Sequence, residues 1–350
     1  MKKRLLPLLV TFAMLLSACG STPIPGSSEA SGRSHPQDSA SALAAGKGLH
    51  IVTTTYPLYL FTHGVVDGYG ESGAPVEGVT ISRLNTGETS CLHDYTLSVS
   101  DMKLLESADV IVMNGAGLED FMEDALAATP AYVIDCSKAV NLLPSIELSD
   151  GHTADDGHVH GAYDPHYWMN VSLVSTVLSH LSTELGALDP THAGQYRQNQ
   201  DLCSHMLEEL EASVRNTMSG GKEGAADWIM ITFHNGFQYF ADFTSDQTLS
   251  PQLSLLRSIE EEAGSEASAK EINEIISLIR EYDIPVLFTE VNGSQATAEA
   301  IARETGVRVV ELSMVMDGES DKISAYSDAM LTNAAAVYYG FTGEEAPSVT

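Results

Sequence analysis

The chain has 350 residues, with 17 Lys and Arg against 48 Asp and Glu, and a formal net charge of -31 at pH 7. No basic stripe follows the first few residues, which excludes nucleic acid and an anionic lipid surface as default partners and makes a cation the better first expectation. With 43% hydrophobic and 19% charged residues, the chain can bury a sizeable core in two domains or one large one.

Residues 1–19 read MKKRLLPLLVTFAMLLSAC, a basic start at Lys2, Lys3 and Arg4, an apolar run from Leu5 to Leu16, and small residues at Ser17 and Ala18. This is the pattern of a secretory signal, with residues 1–18 as the removable peptide. Leu16-Ser17-Ala18-Cys19 resembles the lipobox of bacterial lipoproteins, so Cys19 is expected to be acylated and to become the first mature residue. Removing residues 1–18 deletes three basic residues and no acid, so the charge of -31 becomes about -34. Residues 19–48, rich in Ser, Gly, Ala and Pro, have the composition of a flexible tether. Beyond the N-terminus no window is expected to span a membrane, so the folded part would be held near the membrane but off it. Cys91, Cys136 and Cys203 are an odd remainder, open to one disulfide plus a thiol or to three thiols.

His50–Thr55 reads as a strand and Pro57–Val66 as a helix, and the alternation continues. Further strands are expected at Val76–Ile81, Val110–Met113, Tyr132–Ile134, Trp228–Thr232, Val286–Thr289 and Val307–Leu312. Strands alternating with helices imply right-handed crossovers and mostly parallel sheets. A helical stretch from Val171 to Met218, interrupted at Asp189-Pro190, divides the pattern into halves and would make a rigid connector. The expected organisation is an α/β lobe over 49–188, carrying a histidine-bearing loop at 149–164, then a connecting helix over 189–221. A second α/β lobe follows over 222–340, and a tail over 341–350.

Three constellations carry chemistry. His93 lies in CLHDYTLS, beside Asp94; taken alone, such a loop histidine is often a polar surface residue. GHVHGAYDPHYWMN places His158 and His160 in an acidic loop with His152, Asp155 and Asp156, and His166 after Asp164-Pro165. A His/Asp-rich tract attracts metal by composition, although a solvated loop explains it nearly as well. ITFHNGFQYFADF places His234 directly after a buried-looking strand, where open α/β sheets hold ligands. Three neutral imidazoles plus a carboxylate suit a four-coordinate Zn²⁺. No His-Glu-x-x-His, Cys-x-x-Cys or Gly-x-Ser-x-Gly pattern is present, and Gly115 and Gly117 lack the rest of a dinucleotide fingerprint.

Several of these stretches together resemble the zinc/manganese-binding solute-binding lipoproteins of bacterial ABC uptake systems. The likeness runs from Leu49 to about Ala336 through TTYPLYLF, His93-Asp94-Tyr95, SADVIVMNGAGLEDF, YDPHYWMN, TFHNGFQYFADF and SAKEINEIISLIREYDIPVLFTEVNGS. It implies an α/β fold of two lobes, each with a mostly parallel sheet flanked by helices, joined by one long rigid helix, with the metal in the cleft between them. It also implies that His93 and His166 are ligands from the first lobe and His234 a ligand from the second. The family's fourth donor, often a carboxylate after the last strand, corresponds to Leu312-Ser313-Met314-Val315, so a serine stands where an acid is expected. Asp317 is the acid just beyond and is taken as the fourth ligand, with Glu290, Ser313 and water as the alternatives. Met314 and Met316 are soft thioethers better suited to Cu(I), and core filling is their plainer role. The short histidine-bearing loop resembles the one that zinc-preferring members use to gather metal.

The resulting expectation is an extracytoplasmic, monomeric zinc receptor, lipid-anchored through Cys19 and delivering Zn²⁺ to an ABC-transporter permease, with no enzymatic activity. Histidine-rich donors favour zinc over manganese, which is kept as the second choice, and binding should weaken as falling pH protonates the imidazoles. A zinc metallohydrolase would need a general base, for which Asp94 is the nearest acid; orienting a ligand is its simpler role, as it is for Glu290. A surface adhesin is the third reading, since a tethered lipoprotein would serve it equally well.

Overall fold

The computed structural model describes residues 48–84, 95–146, 162–219, 227–244, 252–259, 267–290 and 295–347. The signal, Cys19, the tether up to residue 47, Cys91, His93, Asp94 and the loop histidines His152, His158 and His160 lie outside the described residues. A first sheet contains β1 (Leu49–Thr53), β2 (Val79–Arg83), β3 (Val110–Met113) and β4 (Tyr132–Asp135), all parallel, in the order β2-β1-β3-β4. The β-branched residues Ile51, Val52, Val110, Ile111 and Val112 are fully buried, because a parallel sheet is covered on both faces. A second sheet contains β5 (Trp228–Thr232), β6 (Leu253–Ser258), β7 (Val286–Glu290) and β8 (Arg308–Leu312), again parallel, in the order β6-β5-β7-β8. Both sheets thus step outward once and return across the first strand. Each has its switch point between its first and third strands, β1/β3 and β5/β7, where open α/β sheets hold ligands beyond the carboxyl ends of the strands.

The helices form three layers around these sheets. The outer helices are α2 (Val99–Ser107) and α3 (Glu123–Ala128) on the first sheet, α7 (Ala269–Glu281) and α8 (Gln295–Thr305) on the second. They bury separate small cores, one around Val52, Leu105 and Ile111, the other around Ile231, Ile275 and Ile301. Reciprocal Ser98/Asp101 and Ser268/Glu271 capping boxes start α2 and α7 by satisfying exposed first-turn N–H groups. Between the sheets lie α1 (Tyr56–Asp67), α4 (Val171–Leu188), α5 (Ala193–Ser219) and α9 (Ser324–Thr342), with the short α6 (Gln238–Thr244) following β5. One continuous core runs through this middle layer from Leu49 and Phe61 to Phe288 and Val337. The lobes therefore share buried side chains, and separating them would expose apolar surface.

Four details differ from the pattern read along the chain. The β2 strand begins at Val79 because Val76 is an anchor, its N–H bonded to the Val66 carbonyl at the end of α1. Strand β6 carries no local signal, since LSLLRS contains no β-branched residue. The connector is a pair of long helices, α4 and α5, rather than one helix over 189–221; α5 begins at Ala193, after the chain turns at Asp189-Pro190. By length and composition α4 is apolar enough to cross a membrane, contrary to the expectation that no such window exists. Its Val174, Val177, Leu178, Leu181 and Leu185 are fully buried in the shared core, which accounts for its apolar character.

Candidate metal centre

The segment Asp164-Pro165-His166-Tyr167-Trp168 runs along the seam between the lobes, and alternate residues are tied to opposite sides. Toward the second lobe, the Tyr239 hydroxyl donates to the Asp164 carbonyl at 3.0 Å and the Tyr326 hydroxyl to the Trp168 carbonyl at 2.7 Å. The Trp168 indole N–H donates to the Met314 carbonyl at 2.9 Å. Toward the first lobe, the Asn114 amide donates to the Pro165 carbonyl at 3.0 Å, and the Tyr167 hydroxyl donates to the Asn114 carbonyl at 2.8 Å. Burial pushes the Tyr167, Tyr239 and Tyr326 hydroxyls above the usual phenol range, so each remains a donor.

His166 is held between these anchors. Asp164 Oδ1 accepts from the His166 backbone N–H at 2.9 Å and lies 2.7 Å from its Nδ1. That contact fixes the ring with its proton on Nδ1 and leaves the Nε2 lone pair directed outward. The Asp164 side chain is 1% exposed, and its Oδ2 meets no hydrogen-bond donor among the described residues.

His234 arrives from the other lobe. It leaves β5 at the second sheet's switch point, where Phe233 N–H bonds the Phe288 carbonyl of β7 and the Thr232 hydroxyl closes the turn onto the His234 carbonyl at 2.7 Å. The two imidazoles meet nearly edge to face, at 83° with centroids 5.2 Å apart, and their Nε2 atoms are 3.4 Å apart. Two nitrogens bound to one ion at about 2.05 Å and the tetrahedral angle would be separated by about 3.3 Å. The pair is thus spaced as two corners of a tetrahedral zinc site, a separation long for a hydrogen bond.

Around the pair the second lobe supplies a thioether. A side-chain carbon at Gly236 would lie 2.6 Å from Met314 Sδ and 3.3 Å from His234 Cδ2, so a larger residue there would have to displace the flexible end of Met314. Val315 holds the left-handed conformation at φ 59°, unusual for a β-branched residue, with its N–H bonded to Ser313 Oγ at 3.1 Å. Asp317 is 61% exposed; its Oδ1 accepts from Gly318 N–H at 2.7 Å and lies 3.7 Å from Arg83. Arg83, at the end of β2, also donates to the Gly318 carbonyl at 2.6 Å and lies over the Tyr56 ring at 4.7 Å, clamping this loop to the first lobe. Glu290 ends β7 opposite Leu312. Cys136 and Cys203 are buried free thiols, their pKa values raised by desolvation. Among the described residues no group of three or more His, Cys, Asp or Glu side chains gathers into a metal site. The structure brings together His166 and His234, with Asp164 behind His166; that role for Asp164 was not drawn from the sequence, although Asp-Pro-His spacing is its local trace.

The sequence profile described as "Zinc-uptake complex component A periplasmic" matches residues 51–339. The chain belongs to this family. Its members are the periplasmic or lipoprotein solute-binding components of bacterial ABC metal-uptake systems, extracytoplasmic proteins that bind and hand over rather than catalyse. Among relatives, the "High-affinity zinc uptake system protein ZnuA" of Bacillus subtilis is 24% identical over 93% of both chains. The "Zinc-binding protein AdcA" of Streptococcus pyogenes is 27% identical over 80% of this chain and 52% of that protein, so the chain spans about half the length of AdcA. A solved structure of FpvC from P. aeruginosa in complex with Ni²⁺ superposes with a TM-score of 0.68 at 24% identity, covering 87% of this chain and 100% of that one, which establishes the shared bilobal fold.

Proposed function

We propose that this family member is a zinc receptor, anchored through acylated Cys19, that captures Zn²⁺ in the interlobe cleft and delivers it to an ABC-transporter permease. The observation that carries the reading is the facing His166 and His234 Nε2 atoms, 3.4 Å apart, one from each lobe. His93 is the third proposed ligand. The fourth position falls to Asp317, on release from Gly318 and Arg83, or to Glu290, Ser313 or water. Imidazole-dominated donors favour zinc, whereas manganese asks for more oxygen. The zinc-named relatives support the same choice, and manganese is the alternative.

Neither lobe alone contains the pair, so capture requires the two lobes in register. The shared core and the hydrogen bonds at Asp164, Trp168 and Gly318 hold that register. Release then falls to local rearrangement of loops at the cleft rather than to rotation of lobes. Competitive titration of metal-depleted protein with Zn²⁺ and Mn²⁺ tests the reading. One equivalent of Zn²⁺, bound much more tightly than Mn²⁺ and lost on His166→Ala or His234→Ala, is expected; equal or tighter Mn²⁺ binding would overturn the zinc assignment.

A further inference from the structure

Building on that reading of the site, we propose that Glu119 and Asn114, neither of which touches His166, are positioning residues that set where the His166 ring stands. The two sheets have the same strand order, yet their switch points are used differently. In the second lobe the switch point opens into the cleft through His234. In the first lobe the equivalent place, beyond the ends of β1 and β3, is filled by the chain's own Glu119 carboxylate.

Three donors hold that carboxylate. Oε1 accepts from the Thr54 hydroxyl at 2.6 Å and from Asn114 N–H at 2.7 Å, and Oε2 accepts from Gly115 N–H at 2.8 Å. Thr54 follows β1 and Asn114 follows β3, so Glu119 pins the two strand ends together. The chain reaches this arrangement through Gly115, Ala116 and Gly117, consecutive left-handed residues at φ 79°, 56° and 88°. That run turns the backbone so that Glu119 comes back under its own loop. Gly115 is obligatory here, because a side-chain carbon would collide with Asp135 Oδ1 and lie 2.5 Å from Ser137 Oγ.

A carboxylate 2% exposed, in a loop that contributes none of the proposed ligands, needs a reason to be ionisable at all. A neutral residue of similar size would fill the space at lower desolvation cost. What the carboxylate provides is a fixed Asn114. With its N–H held by Glu119 and its carbonyl also accepting from Ser137 N–H at 2.9 Å, Asn114 reaches the His166 segment through two bonds: its amide, shared with the Gly115 carbonyl at 3.3 Å, on the Pro165 carbonyl, and its own carbonyl on the Tyr167 hydroxyl. These are the residues immediately before and after His166. The second lobe fastens Asp164 and Trp168, one step further out on each side. His166 therefore stands at the centre of two concentric pairs of anchors, and the inner pair runs through Asn114 to Glu119. Displacing Asn114 would let the Pro165–Tyr167 turn rotate, and the 3.4 Å separation between the two Nε2 atoms depends on that turn.

The test uses the intact chain and compares wild type with Glu119→Gln, Asn114→Ala and Tyr167→Phe, with His166→Ala as control. Zn²⁺ affinity is measured by competition and ligand geometry by the visible absorption of bound Co²⁺, each on protein whose fold is verified by circular dichroism. Glu119→Gln and Asn114→Ala should weaken Zn²⁺ binding by about tenfold and change the Co²⁺ spectrum, and Tyr167→Phe should do the same to a smaller degree. If Glu119→Gln fails to fold, the other two decide. Folded variants that bind Zn²⁺ within about twofold of wild type with an unaltered Co²⁺ spectrum, while His166→Ala is impaired, would overturn the positioning role and leave the site itself intact. A wild type that binds neither ion would overturn both.

Discussion

Replacing Asp164 by Asn tests how far the proposed site depends on a carboxylate that stands behind one of its histidines. The carboxylate is 1% exposed and holds His166 through Oδ1, at 2.9 Å from its N–H and 2.7 Å from Nδ1. An asparagine can present its carbonyl oxygen to both donors, so shape and bond count survive and the negative charge is lost. A hydrogen bond to an ionised group contributes about 1.5–3 kcal/mol and a neutral one about 0.5–1.5, so the imidazole loses roughly 1–2 kcal/mol of orientation and basicity. Second, the new amide nitrogen occupies the place of Oδ2, for which no partner exists among the described residues. A buried donor without an acceptor costs about 1–3 kcal/mol of folding stability, with metal or without it. Asp164→Asn should therefore bind Zn²⁺ about 10–100-fold more weakly in chelator competition, and metal-free protein should melt earlier. An affinity within about threefold of wild type would refute the claim that Asp164 sets the His166 tautomer.

Gly236→Ala should displace the flexible end of Met314, which lies against Gly236, at a cost below about 1.5 kcal/mol in denaturant unfolding; a loss of about 3 kcal/mol or more would show that Met314 cannot swing aside. Glu119 gives a pH signature: desolvation, with the nearby Asp135 charge, raises its pKa from 4.5 to about 7, against hydrogen bonds from Thr54, Asn114 and Gly115 that lower it. The folded state thus binds this proton more tightly than the unfolded state. Its contribution is most favourable below the unfolded value and is lost as pH rises through about 7, by an amount of roughly 3 kcal/mol. Relative to Glu119→Gln, wild type should lose unfolding free energy between about pH 5 and about pH 8, and a flat difference would refute the buried ionisable state.

Much of the fold was legible because its central strands are buried on both faces, which demands the apolar and β-branched runs Ile51–Thr53, Val110–Val112 and Val286–Thr289. Strand β6 escaped because Leu, Ser and Arg are equally at home in a loop, and only pairing with β5 makes it a strand. His166 and His234 were legible from position, one after Asp-Pro and one at a strand end. Glu119 was not, since its burial follows from the left-handed run at Gly115–Gly117, which no local apolar period announces. The surroundings of Asp317 depend on Arg83, which lies 235 positions from its partner Gly318, a relation no local pattern carries. Similarly, the identical strand order of the two sheets is a property of pairing, although the halves alternate alike in sequence.

The central claim is that imidazoles from both lobes bind one ion, and zinc K-edge absorption on the stoichiometric complex reads it directly. The expected spectrum has a shell of nitrogen and oxygen at about 2.0–2.1 Å, with imidazole scattering that diminishes by one ring in His166→Ala and by one ring in His234→Ala. A shell without imidazole scattering, or one that both substitutions leave unchanged, would contradict it.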